Sequence, residues 1–285
     1  MGETVRTLYT MPEYTNDQAH QLRLLAAEKY KLSSVALAKP RTIVVTSGKG
    51  GVGKTSFASN LSIVLAGLQK HILLVDADTN LGNVEMMLSV TPKYRLSNVL
   101  KRECAVEDAL IDSYNGLKII AGDSGKVNYP ESSELMMQRF LESVNTAELS
   151  TDIVFIDTSA GLTEEVLFYA TRADDTIIVT TPEPTAVMDA YAMMKLIQHR
   201  TRGQVPAIHV VVNMVKNPRE ADETFRNLQS VIDHFLHQQI SYLGYIMSTP
   251  EVSTAVRKQK PFVISAPHSS ASLSVKAIAQ KLLNE

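Results

Sequence analysis

A chain of 285 residues with 28 Lys plus Arg against 30 Asp plus Glu, a formal net charge of −2, has room for one large core and gives no global reason to bind nucleic acid. Its single cysteine, Cys104, excludes a disulfide framework and points to a cytoplasmic setting. No run of 18 apolar residues is present to cross a membrane as a helix, and the first residues lack the basic start and apolar stretch of a secretory signal.

In chain order, residues 1–40 stand apart from the rest of the chain. Asn16 or Asp17 can cap a helix, and Ala19, Leu22, Leu25 and Ala26 share one face at helical spacing. The pattern predicts a short amphipathic helix joined by a loose Lys31–Lys39 tether to a domain spanning 41–285, with Pro40 closing the first part. The apolar run Thr42–Thr46 then leads into Gly48-Lys49-Gly50-Gly51-Val52-Gly53-Lys54-Thr55-Ser56, and a helical pattern runs from Lys54 to Leu68. This is G-x-x-x-x-G-K-[ST] in a strand–loop–helix setting. Such a loop turns backbone N–H groups inward around phosphates, with the helix N-terminus behind them. Lys54 is the residue that reaches β- and γ-phosphates, and the Thr55 hydroxyl is an Mg²⁺ ligand.

Further strands are predicted at Ile72–Asp76, Leu117–Ala121, Ile153–Asp157, Thr176–Thr180, Ile208–Asn213 and Ile240–Ile246. Helices fall between them at Glu134–Val144, Thr163–Ala170, Ala186–His199 and Arg219–Phe235. Near-continuous Val/Ile/Leu runs are how strands buried on both faces read. The expected fold is therefore α/β: a doubly wound, mostly parallel sheet flanked by helices, with the nucleotide at the carboxyl ends of the strands. Three strands end in polar groups suited to that place. Asp76 and Asp78 follow the second strand, where acidic groups can reach Mg²⁺ or a water. Asp157 is followed by Gly161, the arrangement of a Walker-B aspartate and a γ-phosphate sensor. The Asn213 amide carries donor and acceptor groups that suit an adenine edge, or it caps a turn.

Lys49 is not required for cradling phosphate. Its position resembles the deviant Walker A loop of the MinD/ParA/nitrogenase-iron-protein class. The resemblance implies a P-loop ATPase using Mg²⁺ that dimerises around ATP, with Lys49 reaching the partner's phosphates. It implies that Asp78 holds the attacking water and that Asp76 supports Lys54 or the metal shell, with Asp157 in switch II. The single cysteine excludes the iron–sulfur branches of the class. The family often places arginine or lysine after the asparagine, whereas Met214 follows here. The stretch from Pro250-Glu251 to Arg257–Phe262 matches the segment whose backbone flanks adenine and ribose in MinD-like chains.

Asp17-Gln18-Ala19-His20-Gln21-Leu22-Arg23 matches D-Q-A-x-x-L-R. It resembles the activator segment of the MinD-like regulators of flagellar number and placement, the FlhG/FleN/YlxH group. The resemblance implies an SRP-type flagellar GTPase as partner, with Gln18 ordering that enzyme's water and Leu22 anchoring the helix. It also implies flagellar switch proteins or a transcription regulator as effectors, with peripheral attachment at the inner face of the cell membrane as a further property of such proteins. A MinD- or ParA-type ATPase for another cargo is the competing reading. In the C-terminal stretch Leu273, Ile278, Leu282 and Leu283 are spaced helically, but there are only two lysines and no Phe or Trp. That pattern predicts a helix covering the sheet rather than one lying on lipid.

Overall fold

The computed structural model describes residues 39–78, 82–123, 125, 133–146, 149–201 and 205–285. Its eight strands are β1 (Arg41–Thr46), β2 (Ile72–Ala77), β3 (Ile111–Asp112), β4 (Lys118–Ile120), β5 (Ile153–Thr158), β6 (Asp175–Thr180), β7 (Ala207–Val215) and β8 (Ser241–Met247). They form one sheet in the order β3-β4-β2-β5-β1-β6-β7-β8. All neighbours run parallel except the two-residue β3, which pairs antiparallel with β4 and closes one edge. That edge strand and the short helices after β2 and β8 are absent from the sequence-based expectation. Their two to eight residues are too few to show a period.

Strand period decides the layers. Val44, Leu73, Val75, Val154 and Ile156 point to one face, and Ile43, Val45, Leu74 and Phe155 to the other, so each face builds its own buried core. The first core is covered by α3 (Leu96–Leu100), α4 (Ser133–Thr146), α5 (Glu164–Arg172), α6 (Pro184–Arg200) and α7 (Pro218–Phe235). The second is covered by α1 (Lys54–Gly67), α2 (Val84–Leu88), α8 (Pro250–Arg257), α9 (Phe262–Ser265) and α10 (Ser270–Asn284). Local chemistry starts several of these helices. The Asn217 side chain accepts from Glu220 N–H at 2.9 Å ahead of Pro218, and Thr163 and Ser269 cap α5 and α10 in the same way.

The C-terminal helix α10 covers the sheet, as its composition predicts. Ala271, Val275, Ile278, Ala279 and Leu282 are buried in the second core. The helix approaches β8 at Gly244, where a Cβ would stand 3.0 Å from Ile278 Cγ1. Among the described residues no helix is long and apolar enough to cross a membrane. Asp17, Gln18, Ala19, Leu22 and Arg23, with the expected N-terminal helix, lie outside the described residues.

Candidate nucleotide site

The loop after β1 takes its shape from glycines. Gly53 caps α1 with φ +90°, and Gly51 has φ +80°, both left-handed conformations costly for other residues. Close approach constrains two positions as well. A Cβ at Gly48 would stand 2.4 Å from the Asp189 carbonyl oxygen in α6, and one at Gly53 would stand 2.4 Å from Asn213 Nδ2. The loop is tied to its neighbours by Gly161 N–H donating to Ser47 O (3.0 Å) and Asn213 Nδ2 donating to Val52 O (2.8 Å).

Beside this loop opens a cleft of about 640 Å³. Gly50, Gly51, Gly53, Lys54, Thr55, Ser56 and Asp78 line one part of it. Asn213, Met214, Met86, Met87 and Met247, with Thr249, Val252, Ser253, Val256 and Arg257 of the β8–α8 region, line the rest. It sits at the carboxyl ends of the parallel strands, as the fold class requires.

Its floor is electrostatically unbalanced. Parallel register places Asp76 beside Asp157 on adjacent strands. Asp157 is fully buried, and neither of its carboxylate oxygens has a hydrogen-bond partner. Burial and then the Asp76 charge push its pKa up to about 8, against the opposing pull of the Thr55 hydroxyl and Lys54. Burial likewise raises Asp76, to about 6, while backbone N–H donors hold it down. The Lys54 ammonium is lowered by burial and pulled back up by Asp157 and Asp78. The carboxylates of Asp157 and Asp78 beside the largely desolvated Lys54 are an arrangement that a divalent cation and a polyphosphate complete. Among the described residues no three His, Cys, Asp or Glu side chains gather as a metal cage. Mg²⁺ takes one or two protein oxygens and leaves the rest to phosphates and water.

Gly50, Gly51, Gly53, Lys54, Thr55, Ser56, Asp78 and Asn213 meet in this cleft, whereas Gly48, Val52, Asp157 and Gly161 do not line it, and several expected roles differ. Asp76 does not reach the cleft. Its Oδ1 accepts from Asp78 N–H (3.1 Å) and its Oδ2 from Val84 N–H (3.0 Å), so it braces the loop carrying Asp78 rather than offering itself as a ligand. One Asn213 Nδ2 hydrogen goes to Val52 O and Oδ1 accepts from Met214 N–H (2.8 Å), so the amide braces the P-loop while it also lines the cleft, with one donor and one lone pair to spare. Pro250 starts α8 without lining the cleft, whereas Thr249, Val252 and Ser253 around it do. Lys49 also stays off the wall, its Nζ held by the Glu183 carboxylate and by Thr185 Oγ1 (3.0 Å) at the start of α6. Glu183, Thr185 and the methionines escape sequence reading because no local pattern marks them. The Pro250 helix start was the one signal available for the β8–α8 wall.

A glycine loop between strand and helix, a buried lysine, Thr55 and a strand-end aspartate together define a P-loop nucleoside triphosphatase with a second, deviant lysine. The ParA family model, described as NUBPL iron-transfer P-loop NTPase, matches residues 39–283. The chain is 35% identical over 242 residues to the antiactivator FleN of Pseudomonas aeruginosa, covering 85% of this chain and 86% of FleN. It is 30% identical to the flagellum site-determining protein YlxH of Helicobacter pylori, covering 85% and 82%. Its fold is that of the septum site-determining protein MinD complexed with Mg-ADP from Pyrococcus horikoshii, with a TM-score of 0.70 at 22% identity over 85% of this chain and 96% of that one. The chain belongs to the ParA/MinD family of P-loop NTPases and is an ATP hydrolase.

Proposed function

We propose that this protein is an ATP-dependent dimerising switch that controls flagellar number and placement. Its likeness to FleN and YlxH supports the flagellar setting. The position of Lys49 carries the mechanism. A lysine inside the phosphate loop whose ammonium is turned away from its own cleft, onto Glu183 and Thr185, is free to serve a neighbouring cleft once those contacts exchange. In an ATP dimer each Lys49 would add positive charge to the partner's phosphates, as an arginine finger does.

Within one subunit, the backbone N–H groups of Gly50 to Thr55 and the N-terminus of α1 hold the phosphates. Lys54 neutralises their charge, and burial keeps its ammonium poorly hydrated and therefore strongly attracted to an anion. The Thr55 hydroxyl and the Asp157 carboxylate would hold Mg²⁺, which supplies charge neutralisation at the β- and γ-phosphate oxygens. Asp78, at the end of β2 and on the cleft wall, orients the attacking water; Asp76 fixes the loop that carries it. Gly161, hydrogen-bonded to Ser47, links phosphate occupancy to the loop after β5. The Asp17–Arg23 segment activates an SRP-type flagellar GTPase, and flagellar switch proteins or a transcription regulator receive the signal. A lipid role for α10 would require its buried face to leave the core.

Two measurements test this reading. Light scattering should show a monomer without nucleotide and a dimer with ATP, with Asp78→Ala locked as the ATP dimer. A monomeric, fully active Asp78→Ala protein would contradict the mechanism. A peptide of residues 1–36 should stimulate GTP turnover by the SRP-type flagellar GTPase, and Gln18→Ala should abolish that effect. Without stimulation, the protein is a dimerising ATPase for another cargo.

A further inference from the structure

Part of the cleft wall beside the phosphate loop is built of sulfur-bearing side chains. Met86 and Met87 of α2, Met214 of β7 and Met247 of β8 all line it. Two of them are unusually exposed for large apolar side chains, Met86 at 52% and Met214 at 46%. Met214 holds φ +59°, a left-handed conformation unfavourable for a residue with a Cβ. It lies where the pairing of β7 with β8 slips between Val212 and Val215, and such irregularities re-aim a side chain next to a site. The result sets its methyl carbon over the phosphate loop, 3.6 Å from where a Cβ on Gly53 would be. In the sheet order, β2, which leads to α2, and β7 lie two strands to either side of β1 and its loop. Met86 and Met214 therefore reach the cleft from opposite flanks. The Asn213 amide beside Met214 spends one donor on Val52 O and one acceptor site on Met214 N–H, which fixes it in place against the loop.

We propose that Met214 and Met86 form a thioether clamp that grips the nucleobase and selects purines by the size of their aromatic face. Thioethers are polarizable and adaptable, and sulfur–aromatic contacts are favourable. A two-ring base offers both methionines a face, and a single pyrimidine ring offers less. Met86 also ties the base to the switch, because it follows Val84, whose N–H sits on the Asp76 carboxylate that braces the Asp78 loop. The inference rests on the nucleotide reading of this cleft and adds the means of base selection.

Calorimetry with Mg²⁺ and ADP, CDP or inorganic pyrophosphate tests it on the full chain without hydrolysis. Wild type should bind ADP more tightly than CDP. The Met86→Ala/Met214→Ala double variant should lose about tenfold in ADP affinity, two such contacts' worth. It should also lose most of the ADP-over-CDP preference, with pyrophosphate affinity unchanged. Met86→Leu/Met214→Leu, which keeps apolar bulk, should recover most of the loss. Unchanged ADP affinity in the alanine variant would overturn the clamp. So would equal loss for ADP and pyrophosphate, which would make the methionines mere supports of the loop. Wild-type protein that binds neither ADP nor pyrophosphate would overturn the nucleotide reading itself.

Discussion

The two ends of the parallel sheet each carry a buried charge cluster, one on β2 and β5 and the other on β1, β6 and β7, and the clusters are opposites. At the carboxyl ends, Asp157 is fully buried with both oxygens unpartnered and its pKa raised to about 8, next to Asp76 at about 6. At the amino ends, burial would also raise Asp175. Hydrogen bonds from His209 (2.8 Å) and from Arg41 (2.5 and 2.7 Å), with their charge, overcome it and hold the carboxyl at about 2. Arg41 also donates to Leu282 O (3.0 Å), and His209 Nδ1 lies 3.0 Å from the Glu285 carboxylate, so this cluster fastens α10 to β1, β6 and β7. Equally dry carboxylates thus serve different ends. A carboxylate whose partners lie within the chain, like Asp175, contributes stability, whereas one left unsatisfied, like Asp157, is held ready for a ligand that completes it.

The contrast is tested most severely by removing the lysine of the incomplete cluster. Lys54→Ala should lower ATP turnover by roughly a hundredfold or more in a phosphate-release assay, since a charge aimed at the phosphates is lost. In the complete cluster the damage should fall on stability instead. Arg41→Ala leaves Asp175 and the Leu282 carbonyl short of a partner and should cost about 3 kcal/mol in urea unfolding, with ATP turnover per folded molecule retained.

Asp157→Asn should do the reverse: abolish turnover yet stabilise the nucleotide-free protein by about 1–3 kcal/mol at pH 8, because an unpaired buried charge is removed. The two pH dependences have opposite signs. Asp157, raised in the folded state, favours folding at low pH, and that contribution fades as pH climbs from about 4 towards 8. Asp175, depressed in the folded state, contributes about 2 kcal/mol above pH 4, and this is lost as pH falls towards 2. Melting temperatures across pH 2–9 for wild type, Asp157→Asn and Asp175→Asn should separate the two. The smallest effect is expected from Glu285→Gln, which weakens a partly exposed pairing with His209 and should cost less than about 1 kcal/mol.

Much of the molecule was legible in the chain because its signals are local. The runs at Ile43–Thr46, Ile72–Asp76 and Ile153–Asp157 match β1, β2 and β5 nearly residue for residue, since strands buried on both faces need uninterrupted apolar residues. The glycine pattern from Gly48 to Gly53 reports backbone conformations that few other residues tolerate, so it announces its own geometry. The methionine wall was not legible. Met86, Met214 and Met247 are far apart in sequence and belong to no repeat, and only the crossovers of the sheet bring them together. The Asn213 assignment was half legible: its position at a strand end was clear, but the fate of its amide depended on Val52, 161 residues earlier.

The order of residues along the chain was thus enough to specify the strand–loop–helix unit, the parallel sheet and the placing of Lys54, Thr55, Asp78 and Asp157 at the carboxyl ends of its strands. Each of these follows from side-chain period or from backbone conformations set by neighbours in the chain. Which carboxylates are satisfied was left to packing across the fold. Asp76, Asp157 and Asp175 are chemically the same residue, and each begins or ends a strand with nothing nearby in sequence to distinguish it. Packing supplied Asp175 with Arg41 and His209, gave Asp76 the backbone of a loop, and left Asp157 with only the nearby Thr55 hydroxyl and Lys54 to offset its burial. The desolvation that raises or lowers each group is a property of the assembled neighbourhood, which no short stretch of the chain contains.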